Sequence, residues 1–152
     1  MSALENERRK RMIGMIVTGH GSYATGITSG LKLLAGEPEN YEPVDFLEDD
    51  SLEILTGKLA AAAKRLSQCT GILIYADLTG GSPFNVSVRM KMERPGKIAV
   101  IGGANLPAVL EGYMSRGSVD SVSEIAAESL TAGKNAMVQF EESAVAEGDY
   151  EE

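Results

Sequence analysis

The sequence predicts an α/β fold, a single domain built on a mostly parallel open sheet with helices on both faces. Three observations carry this. Short, uniformly apolar runs such as "MIGMIV" (Met12–Val17), "GILIYAD" (Gly71–Asp77) and "KIAVIGG" (Lys97–Gly103) have the pattern of strands buried on both faces. The segments between them carry apolar residues at helical spacing, and strands alternating with such helices imply parallel pairing. The chain has 152 residues with 43% hydrophobic content and shows neither an internal repeat nor an interdomain linker. That is enough to bury one core.

The elements follow in order. Met12–Val17 forms the first strand, and Ala24, Ile27, Leu31 and Leu34 mark a helix that stops at Gly36. "YEPVDFL" (Tyr41–Leu47) is a weaker strand, suited to a sheet edge because Pro43 has no N–H to give a neighbour. Asp50 and Glu53 bracket a capping-box-like start, followed by a stripe of Leu52, Leu55, Leu59, Ala62 and Leu66. After the Gly71–Asp77 strand, Ser82 is placed as an N-cap with Pro83 at the first helical position. Lys97–Gly103 is the fourth strand. Asn105 caps a helix reaching about Ser115, and Ser121 with Glu124 opens one more helix, expected to end near Gly133. "AMVQF" (Ala136–Phe140) is the last short strand.

The ends differ from this body. Residues 1–11 form a basic N-terminal extension through Arg8, Arg9, Lys10 and Arg11, and residues 141–152 an acidic tail with six carboxylates. Both are expected to be solvated and frayed, leaving 12–140 as the domain. The net charge of −8 disfavours nucleic acid, which needs a basic face. Cys69 is the only cysteine and His20 the only histidine, so neither an internal disulfide nor a zinc site is expected. No apolar stretch approaches the ~20 residues of a membrane helix. The basic head lacks the apolar run of a signal peptide. A cytoplasmic protein is expected.

In open parallel sheets, ligands gather outside the carboxyl ends of the strands. Here three strands end unusually: in Gly19-His20-Gly21, in Asp77 followed by Thr79-Gly80-Gly81-Ser82, and in Gly102-Gly103. These turns should open on one edge. Asp77 could accept from His20 Nδ1 and leave Nε2 as a nucleophile, while amides starting the Pro83 helix hold an anion. Plainer readings stand beside this one. His20 could be a hydrogen-bonded structural imidazole, and Asp77 a cap for its own turn. "GHGSYA" also matches a short dinucleotide fingerprint at Gly19-His20-Gly21, with Asp45 available to a ribose. Imidazole, carboxylate and anion cradle together describe a phosphohistidine site better than a hydrolase, since no activated serine or cysteine pair is evident.

"GHG" after the first strand, "DLTGGSPFN" (Asp77–Asn85) after the third and "GGANLP" (Gly102–Pro107) after the fourth resemble the mannose-family IIA components of the bacterial phosphoenolpyruvate-dependent sugar phosphotransferase system, over about Met12–Phe140. The resemblance implies that His20 takes a phosphoryl group from the histidine-containing phosphocarrier HPr and passes it to a IIB component, with membrane IIC and IID partners moving the sugar. It implies that Asp77 orients His20 and that Ser82 faces the phosphoryl group. It also implies a homodimer in which the final strand is exchanged. Gly21, Thr79, Gly80, Gly81 and Ser82 are the candidate phosphoryl-binding residues. The flanking glycines are expected to leave room for partner proteins. Phosphoryl transfer between imidazoles needs positioning and charge stabilisation, so no cofactor and no metal are expected. Some relatives carry an aromatic residue where this chain has Leu78-Thr79, and some continue into a IIB domain. With no second histidine here, the IIB partner is expected on another polypeptide. The phosphotransferase subunit of dihydroxyacetone kinase, with a similar first domain, is the alternative within the same chemistry.

Overall fold

The structure, a computed structural model, describes residues 2–10 and 12–142. The acidic tail beyond residue 142 lies outside the described residues. Four strands alternate with helices: α1 (Ala3–Lys10), β1 (Gly14–His20), α2 (Tyr23–Ala35), β2 (Tyr41–Phe46), α3 (Leu52–Arg65), β3 (Ile72–Ala76), α4 (Ser82–Glu93), β4 (Ile98–Ile101), α5 (Leu106–Ser115) and α6 (Val122–Ala136). All strand pairs are parallel, in the order β2-β1-β3-β4. Pro43 lies on the edge strand β2, opposite Val17, where its missing N–H costs nothing.

Strand alternation builds a core on each face of the sheet. Met15, Val17, Leu73 and Tyr75 face α2, α5 and α6, packing with Leu31, Val109 and Ile125. Ile16, Ile72 and Ile74 face the other way, onto Leu55, Leu59 and Ala62 of α3 and Val86 of α4. Leu55 and Leu59 are fully buried, each of the kind whose truncation to alanine costs about 2–5 kcal/mol. Gly112 of α5 admits the buried Tyr75 hydroxyl, which meets Ser129 Oγ at 2.8 Å. Burial raises that hydroxyl's pKa.

The chain runs from β1 outward to β2, then crosses back to β3 on the other side of β1. The strand order therefore reverses between β1 and β3, and a crevice opens at their carboxyl ends. His20 ends β1, and Asp77 follows β3 directly.

Four expectations are corrected. The basic head is not frayed throughout: Ala3–Lys10 is helical, started by Ser2 Oγ, which accepts from Glu5 N at 3.1 Å. The cap of α3 is Ser51, whose Oγ accepts from Ile54 N at 3.1 Å. Asp50 instead closes a turn, accepting from Leu47 N at 2.9 Å and from Lys58 Nζ at 2.7 Å. Gly133 does not stop α6, which runs on to Ala136. A side chain there would lie 2.9 Å from Ala108 Cβ, so this glycine is small because α5 packs against it. Finally, residues 137–140 form no strand within the single chain, and Met137 and Val138 are largely exposed.

At the amino ends of the strands, Arg116 is buried against backbone carbonyls. Its Nη1 donates to the carbonyls of Ile13 and Asn40, each at 2.9 Å, and its Nη2 to that of Glu39. The guanidinium stacks 4.4 Å above the Tyr113 ring. Burial lowers its pKa from the usual arginine value. Among the described residues, no helix is long and apolar enough to cross a membrane.

Candidate functional site

The strand ends meet as the topology requires. His20 Nδ1 lies 2.9 Å from Asp77 Oδ2, and the same oxygen accepts from the His20 backbone N–H at 2.9 Å. A carboxylate only accepts, so Nδ1 carries a proton toward Asp77, and in the neutral ring the Nε2 lone pair is left free. The His20 side chain is 46% exposed against 16% for Asp77, which puts the free nitrogen within reach of a partner. Phe46, opposite His20 in the sheet register, flanks the imidazole with ring centroids 5.8 Å apart.

Each glycine of the first turn has its own task. A Cβ on Gly19 would lie 2.5 Å from Tyr23 Cδ1 and 2.8 Å from Asp77 Cγ, so this position is closed by the protein's own side chains. Room for a partner is not the reason for Gly19. Gly21 has φ +60°, the left-handed region that favours glycine, and its N–H donates to Phe46 O at 2.7 Å. A Cβ there would meet nothing within 4 Å. Its surroundings match the expected openness.

The β3–α4 loop brings the remaining candidates to the ring. Gly81 lies against the imidazole: a side chain there would sit 2.8 Å from His20 Cε1 and 3.5 Å from Nε2. Gly81, not Ser82, is the N-cap of α4, and Ser82 is its first helical residue. The reason is the loop's turn, in which Gly81 N donates to Leu78 O at 3.1 Å while Gly81 O already receives Asn85 N at 2.9 Å. Pro83 has no N–H, so the Ser82 and Phe84 amides are the helix-start donors outside the helical ladder. Gly80 has φ +86°, and its carbonyl accepts from Asn85 Nδ2 at 3.0 Å. Thr79 sits over Gly102, where a Cβ would collide with Thr79 Oγ1 and lie 2.8 Å from Phe84 Cε1. The glycines after β4 thus let the third turn close on the second. Leu78, in place of the aromatic residue of some relatives, is 58% exposed.

The arrangement presents a half-exposed nucleophilic nitrogen, a carboxylate behind it and a helix N-terminus beside it, the parts needed to hold an anionic group on the ring. The ribose-binding alternative loses its carboxylate. Asp45 accepts from Thr25 N at 3.1 Å and Thr25 Oγ1 at 2.8 Å, pinning the first turn of α2. Two functional neighbours escaped the sequence: Tyr23, whose hydroxyl donates to Ala104 O in the β4–α5 turn, and Phe46 beside the ring. The 3-residue step from His20 to Tyr23 and the position of Phe46 at a strand end are visible in the sequence, but not that both side chains turn inward.

Known proteins are similar to the chain in sequence and fold. The EIIA-man family, described as "PTS system fructose IIA component", matches residues 14–130. The mannose-specific EIIAB component of Escherichia coli K12 is 31% identical over 122 residues, which is 80% of this chain but 38% of that protein. The chain thus spans little more than a third of that relative. The sorbose-specific EIIA component of Lacticaseibacillus casei is 30% identical over 112 residues, 73% of this chain and 78% of that one. Of solved structures, the phosphotransferase system component EIIA from Streptococcus agalactiae is similar with TM-score 0.79 and 32% identity, covering 85% of this chain and 98% of its own. The mannose/sorbose specific IIA subunit from Enterococcus faecalis has TM-score 0.76 and 29% identity, covering 86% and 96%. The chain therefore belongs to the EIIA-man family, the mannose-type IIA components of the phosphotransferase system.

Proposed function

We propose that the protein is a cytoplasmic phosphocarrier that accepts a phosphoryl group from phospho-HPr on His20 Nε2 and passes it to a IIB component during sugar uptake through membrane partners. The observation that carries this is the Nδ1–Asp77 hydrogen bond of 2.9 Å, which leaves Nε2 unprotonated beside the start of α4. In the uptake step the donor's N–P bond breaks as the Nε2–P bond forms, and the Nδ1 proton stays between His20 and Asp77. Negative charge on the equatorial oxygens is met by the Ser82 and Phe84 amides, the α4 dipole and the Ser82 and Thr79 hydroxyls. Gly21, Gly80 and Gly81 keep the backbone close to the phosphoryl position. The positive charge that phosphorylation develops on the ring is balanced by Asp77.

A homodimer fits the same reading. The outer edge of β4 pairs with no strand among the described residues, and the apolar residues Met137 and Val138 stand exposed just beyond α6. An exchanged strand from residues 136–140 would cover both.

The protein is tested by incubation with Enzyme I, HPr and phosphoenolpyruvate. Acid-labile phosphate should appear on the wild type and be absent from His20→Ala, whose melting temperature stays close to wild type because the ring is half exposed. Equal labelling of the two proteins overturns the assignment.

A further inference from the structure

Tyr23 is the first residue of α2, three positions beyond the nucleophile. Its ring edge and the Asp77 carboxyl converge on the gap left by the missing side chain of Gly19, 2.5 and 2.8 Å from where a Cβ would stand. Its hydroxyl donates to Ala104 O. One side chain therefore reaches all three turns of the site: it springs from the first, shares the Gly19 gap with the carboxylate of the second and is tied to the third. Burial, and next the charge of Asp77, push the hydroxyl pKa up to about 12, so it stays a donor across the working pH range.

Asp77 needs such a wall. Its Oδ2 takes both protons offered by His20, while Oδ1 is buried with no hydrogen-bond partner among the described residues. A carboxylate held through one oxygen is free to turn about its Cβ–Cγ bond unless packing stops it. The Tyr23 ring edge stands at the same Gly19 gap as the Asp77 carboxyl carbon.

We propose that Tyr23 is a positioning residue: its ring fixes the Asp77 carboxylate against His20 Nδ1, and its hydroxyl couples that geometry to the β4–α5 turn. For phosphoryl transfer this rests on His20 being the acceptor. The coupling differs from simple core packing because it acts on the proton of one imidazole. Misplacement of a supporting group by about 1 Å is enough to slow a reaction up to about a hundredfold.

The test uses the full chain labelled with nitrogen-15, in which His20 supplies the only imidazole signals. Wild type should show widely separated ring shifts, with Nδ1 protonated and Nε2 bare. Tyr23→Leu should draw the two shifts together and slow uptake from phospho-HPr about tenfold. Tyr23→Phe keeps the wall and loses the tether. It should preserve the ring shifts, speed hydrogen exchange at the Ala104 amide and slow uptake about threefold or less. Wild-type ring shifts in Tyr23→Leu, or a lowered melting temperature with no change in those shifts, overturn the role of the ring. Unchanged Ala104 exchange in Tyr23→Phe overturns the coupling. If the wild type takes no phosphate while its ring shifts still respond to Tyr23→Leu, the phosphocarrier assignment fails and the positioning role stands.

Discussion

The two ends of the sheet handle charge in opposite ways. At the amino end, Arg116 is buried and spends its guanidinium on three backbone carbonyls and an aromatic face. At the carboxyl end, His20 is half exposed, one ring nitrogen is committed to Asp77, and the other makes no hydrogen bond among the described residues. The first arrangement ties the starts of β1 and β2 together and has no reactive atom to offer. The second leaves one lone pair and one carboxylate oxygen over. Structural charge is saturated with partners, and chemical charge is kept deliberately short of them.

Three substitutions sharpen that contrast, from the largest expected effect to the smallest. Asp77→Asn should slow phosphoryl transfer by about a hundredfold while costing about 1 kcal/mol of stability, because the amide oxygen still accepts from the His20 backbone but no longer balances the ring's charge. Single-turnover rates with phospho-HPr beside urea unfolding would check both halves; a large stability loss with unchanged rates would make Asp77 a structural residue like Arg116. Arg116→Met should do the reverse, lowering unfolding free energy by about 3 kcal/mol, since buried carbonyls lose their donors, while the folded fraction transfers at the wild-type rate. A shifted urea midpoint at constant slope is the expected signature, and loss of rate in the folded fraction would break the separation of the two ends.

The smallest effect belongs to Asp50, a partly buried carboxylate paired with Lys58 at 2.7 Å. The Lys58 hydrogen bond, then that of Leu47 N, hold its pKa below the ordinary value. A depressed folded pKa means its contribution is present above the unfolded value of about 3.9 and is lost as pH falls through the folded one. Asp50→Asn should therefore lower stability slightly at pH 7, converge with wild type in acid and so flatten the acid limb of the stability profile, measured by thermal unfolding from pH 6 to pH 2. An unchanged limb would show that solvent screens the pair completely.

The carboxyl end was far more legible in the sequence than the amino end. A parallel sheet forces its strand ends together, so Gly19-His20-Gly21, Asp77 and Gly81 could be assembled from their positions alone. The Arg116 clamp gave no such signal, because an arginine after "GYMS" has the pattern of an exposed helix end, and only tertiary packing turns it inward. Gly133 was misplaced as a helix stop because a glycine fitted against α5 and one ending a helix look alike in one dimension. Ser82 failed as a cap by a single residue, since the turn that closes on Gly81 N is invisible until Leu78 O is in place. The 136–140 run has strand-like residues, but pattern alone does not supply an edge to receive them.

The Nδ1 proton held between His20 and Asp77 has one more consequence. In the proposed exchange, one imidazole hands a phosphoryl group to another imidazole, and this proton is neither given up nor taken in. Donor and acceptor bonds are then of nearly the same kind, so the step lies close to thermal balance. Such a carrier has no preferred direction of its own. In the proposed role it would work as a reversible relay, its phosphorylated fraction following the ratio of charged to uncharged partners on either side, and so it would report supply and demand at the same time as it connects them.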